Sequence, residues 1–339
     1  MTMASPKGIL FIFAVALVSP SSTGLFLSFG ANDRTELPTA VWIDTDPSVT
    51  TGGHEVDDGL ALIQAFHSWE LLVRGISIVF GNAALKDAVP IADEIIKRFG
   101  PKHLSTYAGA ASADQLGEET PASQALASAL QKEPLTILAL GPVTNIATVL
   151  RQHPELHSRF IRIVAVAGRR PNQRFTTGAS GNKPFKDFNF ELDPRAFQVL
   201  LDSEIPLTLA PWELSSQVWI TAWDLEYLRA HSTDLAWLYR AAVDWLNLWQ
   251  ERFGVSGFNP FDTLAVGIVT SRRFMSCERF SAEIRILPSD TPAEAVSADM
   301  TKPYLLVSQN FEGQRFVEYC FHVQSEFKDD LLSRLVGSR

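Results

Sequence analysis

Four aspartates lie close together near the start of the chain, at positions 44, 46, 57 and 58. Asp44 and Asp46 follow a short apolar run, and Asp57 and Asp58 precede an apolar stretch with helical spacing. Carboxylates this close repel one another unless a positive charge lies between them. Several carboxylates with carbonyls and water suit Ca²⁺ better than the smaller Mg²⁺. We therefore expect a calcium site here, although an aspartate pair that caps a helix beside an unrelated loop acid is the alternative.

Further short motifs that combine glycine, amide and acidic residues follow at intervals along the chain. Each of them is weak alone, because pairs such as Gly-Asn are common in turns. In chain order they are Gly81-Asn82, the run from Leu140 to Ala147 (LGPVTNIA), Gly181-Asn182, Asp187-Phe188-Asn189, Asp193-Pro194 and the run from Phe261 to Ala265 (FDTLA).

Taken together and in this order, these segments resemble the inosine-uridine nucleoside hydrolase family. That family begins with Asp-x-Asp-Pro-Gly-x-Asp-Asp before an apolar helix. It continues with Leu-Gly-Pro-Leu-Thr-Asn-Leu-Ala, Gly-Asn…Glu-Phe-Asn…Asp-Pro and His-Asp-Pro-Leu-Ala. The resemblance covers residues 41 to about 270. It implies a Ca²⁺-dependent enzyme that hydrolyses the N-glycosidic bond of ribonucleosides to ribose and free base.

The resemblance also implies which residues bind the metal and the attacking water. Asp46, Asp58, Asp262 and the main-chain carbonyl of Thr144 would bind Ca²⁺. Asp46 would also take a proton from the bound water, which Asn82 would orient. The chemistry agrees with these roles, because a divalent cation lowers the pKa of its water and a nearby carboxylate can complete the deprotonation.

A second group of residues would bind the sugar. Asp57 and Asn189 would bind ribose hydroxyls, Asn182 and Asp187 would hold the far end of the sugar, and Asp44 would support the loop. Cleavage of an N-glycoside passes through a state that resembles a ribosyl cation, which carboxylates around the sugar stabilise. The partner expected from these residues is a small-molecule nucleoside.

The sequence departs from the family pattern at three places. The turn between Asp46 and Asp57 is longer here, and Gly52 and Gly53 could let the extra residues bulge outward. Asp187 stands where the family usually has the longer Glu. Phe261 replaces the His that assists the leaving base in many members, and Phe cannot donate a proton.

The leaving base must therefore be activated in another way. Stacking on an aromatic ring makes a purine easier to protonate by solvent, although large aromatic residues more often belong to the core. A histidine in the inserted turn is another possible donor. The candidates are Trp212, Trp245, Trp249, Phe258 and His54.

These residues must be positioned by an alternation of strands and helices. Short apolar runs, such as Val73 to Phe80 and Leu135 to Leu140, alternate with segments of helical spacing, such as Lys86 to Phe99. This alternation predicts an α/β fold with a mainly parallel central sheet flanked by helices, similar to an open Rossmann-like sheet. Ligands of such sheets bind at the carboxyl ends of the strands, where the acids lie.

The second half of the sequence changes character. A long helix is expected from Thr233 to Phe253, and another from Pro260 to Val269. After Ser281 the pattern is typical of strands. We therefore expect one catalytic domain over residues 36–339 with a C-terminal helical and β-hairpin elaboration.

Composition excludes some partners. The net charge is −9 and no run of five Lys or Arg occurs, so nucleic acid is not expected as a partner. The two cysteines, Cys277 and Cys320, do not make a disulfide framework, and two buried thiols are expected, with a single bridge as the alternative. A homo-oligomer, either a dimer or a tetramer, is expected.

The N-terminus resembles a secretory signal peptide. Lys7 precedes the apolar run from Ile9 to Val18, and small residues follow. Residues 1–35 are therefore expected to be a leader, and the protein to be secreted or periplasmic. The alternatives are a membrane anchor, or an upstream start in front of a cytoplasmic enzyme.

Other functions explain less of the sequence. A phosphatase of the haloacid dehalogenase type also begins with a strand and Asp-x-Asp, but it would not account for the Gly-Asn motifs. A dinucleotide enzyme would need Gly-x-Gly-x-x-Gly after the first strand, which is missing. A binding protein that keeps the calcium and ribose sites but has lost turnover is the main rival, and Phe261 is the reason to consider it.

Overall fold

The computed structural model describes residues 1–2, 37–50, 52–178, 180–181, 183–290, 300–313 and 315–337. Asn182 and residues 3–35 of the expected leader therefore lie outside the described residues. Residues Leu37–Arg339 form one compact unit. Among the described residues, no helix has the length and apolar character needed to cross a membrane.

Strands and helices alternate through the first two thirds of this unit, as the sequence predicts. The strands are β1 Thr39–Thr45, β2 Leu71–Ile78, β3 Thr106–Ala108, β4 Leu135–Ala139, β5 Phe160–Ala165, β6 Thr176–Thr177, β7 Lys183–Pro184, β8 Leu207–Leu209, β9 Ile220–Thr221, β10 Gly257–Phe258, β11 Met275–Pro288, β12 Thr301–Ser308 and β13 Phe316–Val323. The α-helices are α1 Asp57–Phe66, α2 Leu85–Phe99, α3 Pro121–Lys132, α4 Thr144–Gln152, α5 Phe188–Leu192, α6 Pro194–Asp202, α7 Trp212–Ser215, α8 Ala222–His231, α9 Ala236–Phe253, α10 Phe261–Thr270 and α11 Glu326–Leu335.

One central sheet organises the unit. Its strand order is β12-β11-β13-β8-β5-β4-β1-β2-β3, and all neighbours from β13 to β3 are parallel. Only β11 runs antiparallel to its two neighbours. The predicted α/β fold with a mainly parallel sheet flanked by helices is thus confirmed.

The chain order of the strands reverses at the middle of the sheet. From β1 the chain proceeds outward to β2 and β3, whereas β4, β5 and β8 follow on the other side of β1. The loops after β1 and β4 therefore diverge and leave a crevice, which is where ligands of open parallel sheets bind. Residues Val41–Thr45 of β1 are all buried, because helices cover both faces of the sheet.

The C-terminal part differs in detail from the expectation. The strand pattern begins at Met275 rather than after Ser281, and β11, β12 and β13 extend the central sheet through the β13–β8 pair. The long helix begins at Ala236 and ends at Phe253, and the following Gly254 has the positive φ of 69° that is common after the end of a helix. A separate helix, α8, precedes it.

The expectation of two free thiols is wrong. Cys277 of β11 lies directly opposite Cys320 of β13 in the antiparallel pair, and the two form a disulfide. Register decides this outcome, because it places the two side chains on the same face of the sheet. Spacing along the sequence does not reveal it.

Candidate active site

The acidic residues meet at the carboxyl end of β1. Asp44 is the last residue but one of this strand, Asp46 follows it, and Asp57 and Asp58 are the first two residues of α1. Asp262 is the second residue of α10, which packs against α1. The acids of α1 and α10 thus lie at helix N-termini, whose partial positive charge partly offsets their mutual repulsion.

Asn82 joins Asp46 to Asp58. Its main-chain N–H donates to Asp46 Oδ2 at 2.6 Å, and its side-chain amide donates to Asp58 Oδ2 at 3.3 Å. The N–H of Asp46 donates to Asp58 Oδ1 at 3.2 Å, and the Thr45 hydroxyl donates to the same oxygen. Despite the inserted turn, Asp46 and Asp58 are therefore adjacent.

Two glycines make room for the Asp46 carboxylate. A Cβ atom at Gly81, or at Gly141 in the loop after β4, would overlap this side chain. The Gly-Asn and Gly-Pro motifs therefore have a steric reason as well as a polar one, since only glycine lets the two loops approach the acid so closely.

Asp44 supports the site from below. One oxygen of its carboxylate accepts a hydrogen bond from the Ser77 hydroxyl and another from the Asn145 amide, the latter at 2.9 Å. Ser77 in turn accepts from the Trp42 indole at 2.8 Å, and Asn145 accepts from the Ala110 N–H. This buried network links the ends of β1 and β2 to the loop after β3 and to the first turn of α4.

Burial raises the pKa of every acid in this group. The pKa of Asp44 rises to about 7, that of Asp57 to about 6 and that of Asp58 to about 8. The pKa values of Asp46 and Asp262 are also well above the ordinary value, through burial and then through repulsion from Asp58. So many carboxylates cannot all be ionised in a dry site unless a cation balances them.

The donor set fits a hard divalent cation. Asp46 Oδ1 is buried and accepts no hydrogen bond from any described residue, so a ligand could take its lone pairs. Thr144 begins α4, and its hydroxyl donates to Asp193 at 2.6 Å. Because the Thr144 hydroxyl is used in this way, its main-chain carbonyl is the group that Thr144 could offer a metal. The carboxylate oxygens of Asp58 and Asp262 would be further ligands.

A sixth acid at this end of the sheet, Glu55, was not expected from the sequence. Oxygen atoms of Glu55, Asp57 and Asp262 all lie within 4.8 Å of one another, and all three residues are buried. Glu55 belongs to the inserted turn, which has no counterpart in the family pattern, so comparison with that pattern could not find it. Its position directly before Val56, Asp57 and Asp58 was the available signal.

Three of the expected sugar-binding residues, Asp57, Asp187 and Asn189, line the same cavity. The Asn189 amide donates to the carbonyls of Leu140 and Val166, at 2.5 and 3.3 Å, which leaves its oxygen for a ligand. Asp187 accepts from the Gly168 N–H at 2.9 Å, and burial raises its pKa to about 6. The expected contribution of Asn182 lies outside the described residues.

The cavity has a volume of about 720 Å³, and one of its walls is aromatic. Phe261 lies beside Phe185 and Trp249, each with a centroid separation of 6.2 Å. Within the described part of the chain, no histidine, tyrosine or cysteine lines this space. The aromatic lining residues are Phe175, Phe185, Phe188, Trp212, Trp245, Trp249, Phe253 and Phe261.

The candidates for activating the leaving base are thereby narrowed. Trp212, Trp245 and Trp249 line the cavity, as a stacking role requires. Phe258 is fully buried in the hydrophobic core and does not line the cavity, so for this residue the core alternative is the one that the structure shows. His54 is exposed at the tip of the inserted turn and is not part of the lining.

Comparison with known proteins agrees with this geometry. Residues 41–318 match the family described as inosine-uridine preferring nucleoside hydrolase. The chain is 26% identical to the pyrimidine-specific ribonucleoside hydrolase RihA of Citrobacter koseri over 71% of this chain and 82% of that protein. It is 27% identical to RihA of Escherichia coli K12 over the same shares.

Solved structures show the same fold. A plant nucleoside hydrolase superposes with a TM-score of 0.71 at 19% identity, covering 89% of this chain and all of that one. An inosine-uridine preferring nucleoside hydrolase from Bacillus anthracis superposes with a TM-score of 0.66 at 18% identity, covering 88% of this chain and 99% of that one.

Proposed function

This chain belongs to the inosine-uridine preferring nucleoside hydrolase family and is a hydrolase of N-glycosidic bonds, and from that membership we propose that it cleaves ribonucleosides to ribose and free base with Asp46 as the general base. The observation that carries this proposal is that Asn82, Asp187, Asn189 and Asp262 line one cavity, while Asp46 and Asp58 are hydrogen-bonded to Asn82 behind it.

The expected cation is Ca²⁺. Asp46, Asp58, Asp262 and the Thr144 carbonyl would hold it, with oxygen atoms throughout. When bound, it would supply a positive charge that balances the acids and lowers the pKa of the attacking water. Asp46 would then take the proton of that water. Asn82, which donates to both Asp46 and Asp58, fixes the carboxylate that does so.

The sugar would be held from the carboxylate side of the cavity. Asp57 and the oxygen of Asn189 would accept hydrogen bonds from ribose hydroxyls, and Asp187 would accept from the hydroxyl at the far end. Negative charge on this side favours the developing ribosyl cation more than the neutral substrate, which is the condition for acceleration. Asn182 is proposed to assist Asp187, in accordance with the resemblance.

The base would occupy the aromatic side. Trp212, Trp245 and Trp249 line that side, and no carboxyl or imidazole group stands among the described residues on that wall. We propose that the leaving base is activated by stacking on these rings and by protonation from solvent. The relatives that act on pyrimidine nucleosides make uridine and cytidine natural substrates to test, and inosine represents the purines.

A nucleoside panel tests the proposal. Release of reducing sugar from uridine, cytidine, inosine and adenosine would be measured before and after chelation, with nucleoside affinity measured in parallel. We expect release that is lost with the cation and restored by Ca²⁺. Tight binding without release would refute turnover, and full activity in chelator would refute the cation. Four expectations from the sequence stay predictions. They are the leader at residues 1–35, the catalytic domain at residues 36–339, the secreted or periplasmic location of the protein, and its homo-oligomeric state.

A further inference from the structure

The inserted turn does not simply bulge away from the site. Its two ends are buried through Val49 and Val56, and Val49 packs so closely on α1 that a Cβ at Gly59 would overlap it. Among the described residues of the turn, Thr50, Gly52 and His54 are exposed and Gly53 is half-buried, and both glycines have positive φ. The second half of the turn then leads back into the site at Glu55.

The tip of the turn is anchored on another element. The Gly52 N–H donates to the Asp244 carboxylate of α9 at 2.9 Å, and Gly53 lies against Leu248 of the same helix. The same helix carries Trp245 and Trp249 of the aromatic wall. The turn is therefore tied to the rest of the cavity, and the glutamate that it carries is not on a free loop.

The Glu55 carboxylate is held in a defined orientation. Its Oε1 accepts from the Ser48 N–H at 2.7 Å and from the Ser48 hydroxyl at 3.1 Å. Its Oε2 lies 3.4 Å from the N–H of Asp58. A carboxylate that accepts these bonds still has lone pairs for a ligand.

The neighbours of Glu55 are acids rather than bases. It makes a side-chain contact with Asp57, and Asp262 completes a triad with oxygen atoms within 4.8 Å. In the described part of the chain, no Lys, Arg or His forms an ion pair with any of the three. Asp46 is not one of this triad, but it lies close enough for the charge of Glu55 to raise its pKa, and its buried Oδ1 lacks a partner among the described residues.

We propose that Glu55 is a further ligand of the cation that Asp46, Asp58 and Asp262 hold, an inference that rests on the proposed cation site. The inserted turn thus adds a charged oxygen ligand to the set. Calcium accepts six to eight oxygens in flexible geometry, and its affinity rises with the number of charged ligands, whereas Mg²⁺ demands a tighter octahedron. The insertion therefore raises both the affinity for Ca²⁺ and the preference for Ca²⁺ over Mg²⁺.

The test measures cation binding in the full-length protein without nucleoside. Metal-free wild type, Glu55→Gln, Asp262→Asn and a matched control, Glu312→Gln, would be titrated with CaCl₂ and with MgCl₂ by calorimetry. Glu312 is exposed, so its substitution removes one charge without touching the cavity. We expect Glu55→Gln to raise the Kd for Ca²⁺ on the order of 10–100-fold and to narrow the gap between the two ions, while the control stays at the wild-type value.

Thermal unfolding shows whether the variants fold. Removing one of several buried like charges should raise the Tm of metal-free Glu55→Gln and should reduce the increase that Ca²⁺ brings. Ser48→Ala, which frees one side of the Glu55 carboxylate, should give a smaller loss of Ca²⁺ affinity in the same direction.

The results distinguish a failure of the cation site from a failure of the Glu55 assignment alone. Wild type that binds no Ca²⁺ would overturn the cation site and Glu55 with it. Normal Ca²⁺ affinity in Glu55→Gln, with Asp262→Asn impaired, would overturn only the Glu55 assignment. If that variant then showed a raised KM for nucleosides, Glu55 would be a sugar-binding residue instead.

Discussion

Phe261 offers the sharpest test of how the base leaves. It occupies the first position of α10, directly before Asp262, and its ring packs beside Phe185 and Trp249 on the aromatic wall. The ionisable groups among the described residues that line the cavity are Glu55, Asp57, Lys186, Asp187, Arg252 and Asp262. The carboxyls among them belong to the cation and sugar side. A base that departs toward the aromatic wall therefore meets no carboxyl or imidazole group there, and Lys186 and Arg252 are the cationic groups of the described lining.

The magnitude follows from the missing proton donor. General acid assistance is worth about 10²–10⁴-fold in rate, which corresponds to about 3–5 kcal/mol of barrier. A substrate whose leaving group departs without a proton escapes this penalty. We therefore expect kcat for p-nitrophenyl β-D-riboside to exceed kcat for inosine and uridine by about 10²–10⁴-fold.

Substitution of Phe261 tests whether the missing proton donor is what slows natural nucleosides. Phe261→His should raise kcat for inosine by about tenfold or more, with a new dependence on an acidic group in the pH profile, and should leave the activated substrate nearly unchanged. Phe261→Leu is the control, because it removes the ring without adding a donor. Wild-type rates on inosine within tenfold of the activated substrate would refute the argument, and another donor would then have to be sought by substitution of the three tryptophans.

Three further expectations follow from the same site. Asp58→Asn should abolish the Ca²⁺ binding that calorimetry measures and most of the ribose release. The exposed Asp87→Asn, as the control, should change neither. An Asp58→Asn variant that is active without bound calcium would contradict the cation site. Asn189→Ala should lower kcat/KM for purine and pyrimidine nucleosides alike, because the lost hydrogen bond to the sugar is worth about 1–3 kcal/mol of binding free energy. The exposed Asn247→Ala is the control. An effect confined to one class of base would instead place Asn189 in the base pocket. Burial raises the pKa of Asp44 to about 7 and that of Asp187 to about 6, above the ordinary 3.8, so the native state binds these protons more tightly than the unfolded chain. The stability that they contribute is complete below about pH 4 and is lost as pH rises through 6 and 7, with a slope of up to about 1.4 kcal/mol per pH unit for each group. Chelated protein should therefore unfold at a lower temperature at pH 7 than at pH 5, and Asp44→Asn should lessen that difference; an identical pH dependence in the variant would contradict the assignment.

The parts of the fold that sequence predicts well are those with a local cause. Strands β1, β2, β4 and β5 are short apolar runs that end in polar or glycine residues, and burial on both faces of a parallel strand produces that pattern directly. Their carboxyl ends carry the acids and amides because the crevice of the sheet lies there. The site could be anticipated for the same reason, since each of its motifs follows a strand or begins a helix.

Long-range pairing is what the sequence does not reveal. Whether Cys277 and Cys320 are thiols or a disulfide depends on the register of β11 against β13, two strands that are far apart in the sequence and meet only when they pair. Likewise Phe258 has the same residue type as the lining phenylalanines, and only its position in β10 places it in the core. Periodicity cannot separate a core aromatic from one that lines a cavity, because both are largely buried.

The inserted turn shows the same limit within the site. Its glycine pair permits the tight tip that the sequence suggests, but glycine says nothing about the direction that the turn takes. That direction is set by Val49 packing on Gly59 and by Asp244 on a helix almost two hundred residues later, a separation of 192 positions from Gly52. Because the tip is held at α9, the returning limb enters the acidic cluster and brings Glu55 within reach of Asp57 and Asp262. An insertion that looks like a tolerated loop in the sequence is therefore, in the structure, the element that adds an acid to the site.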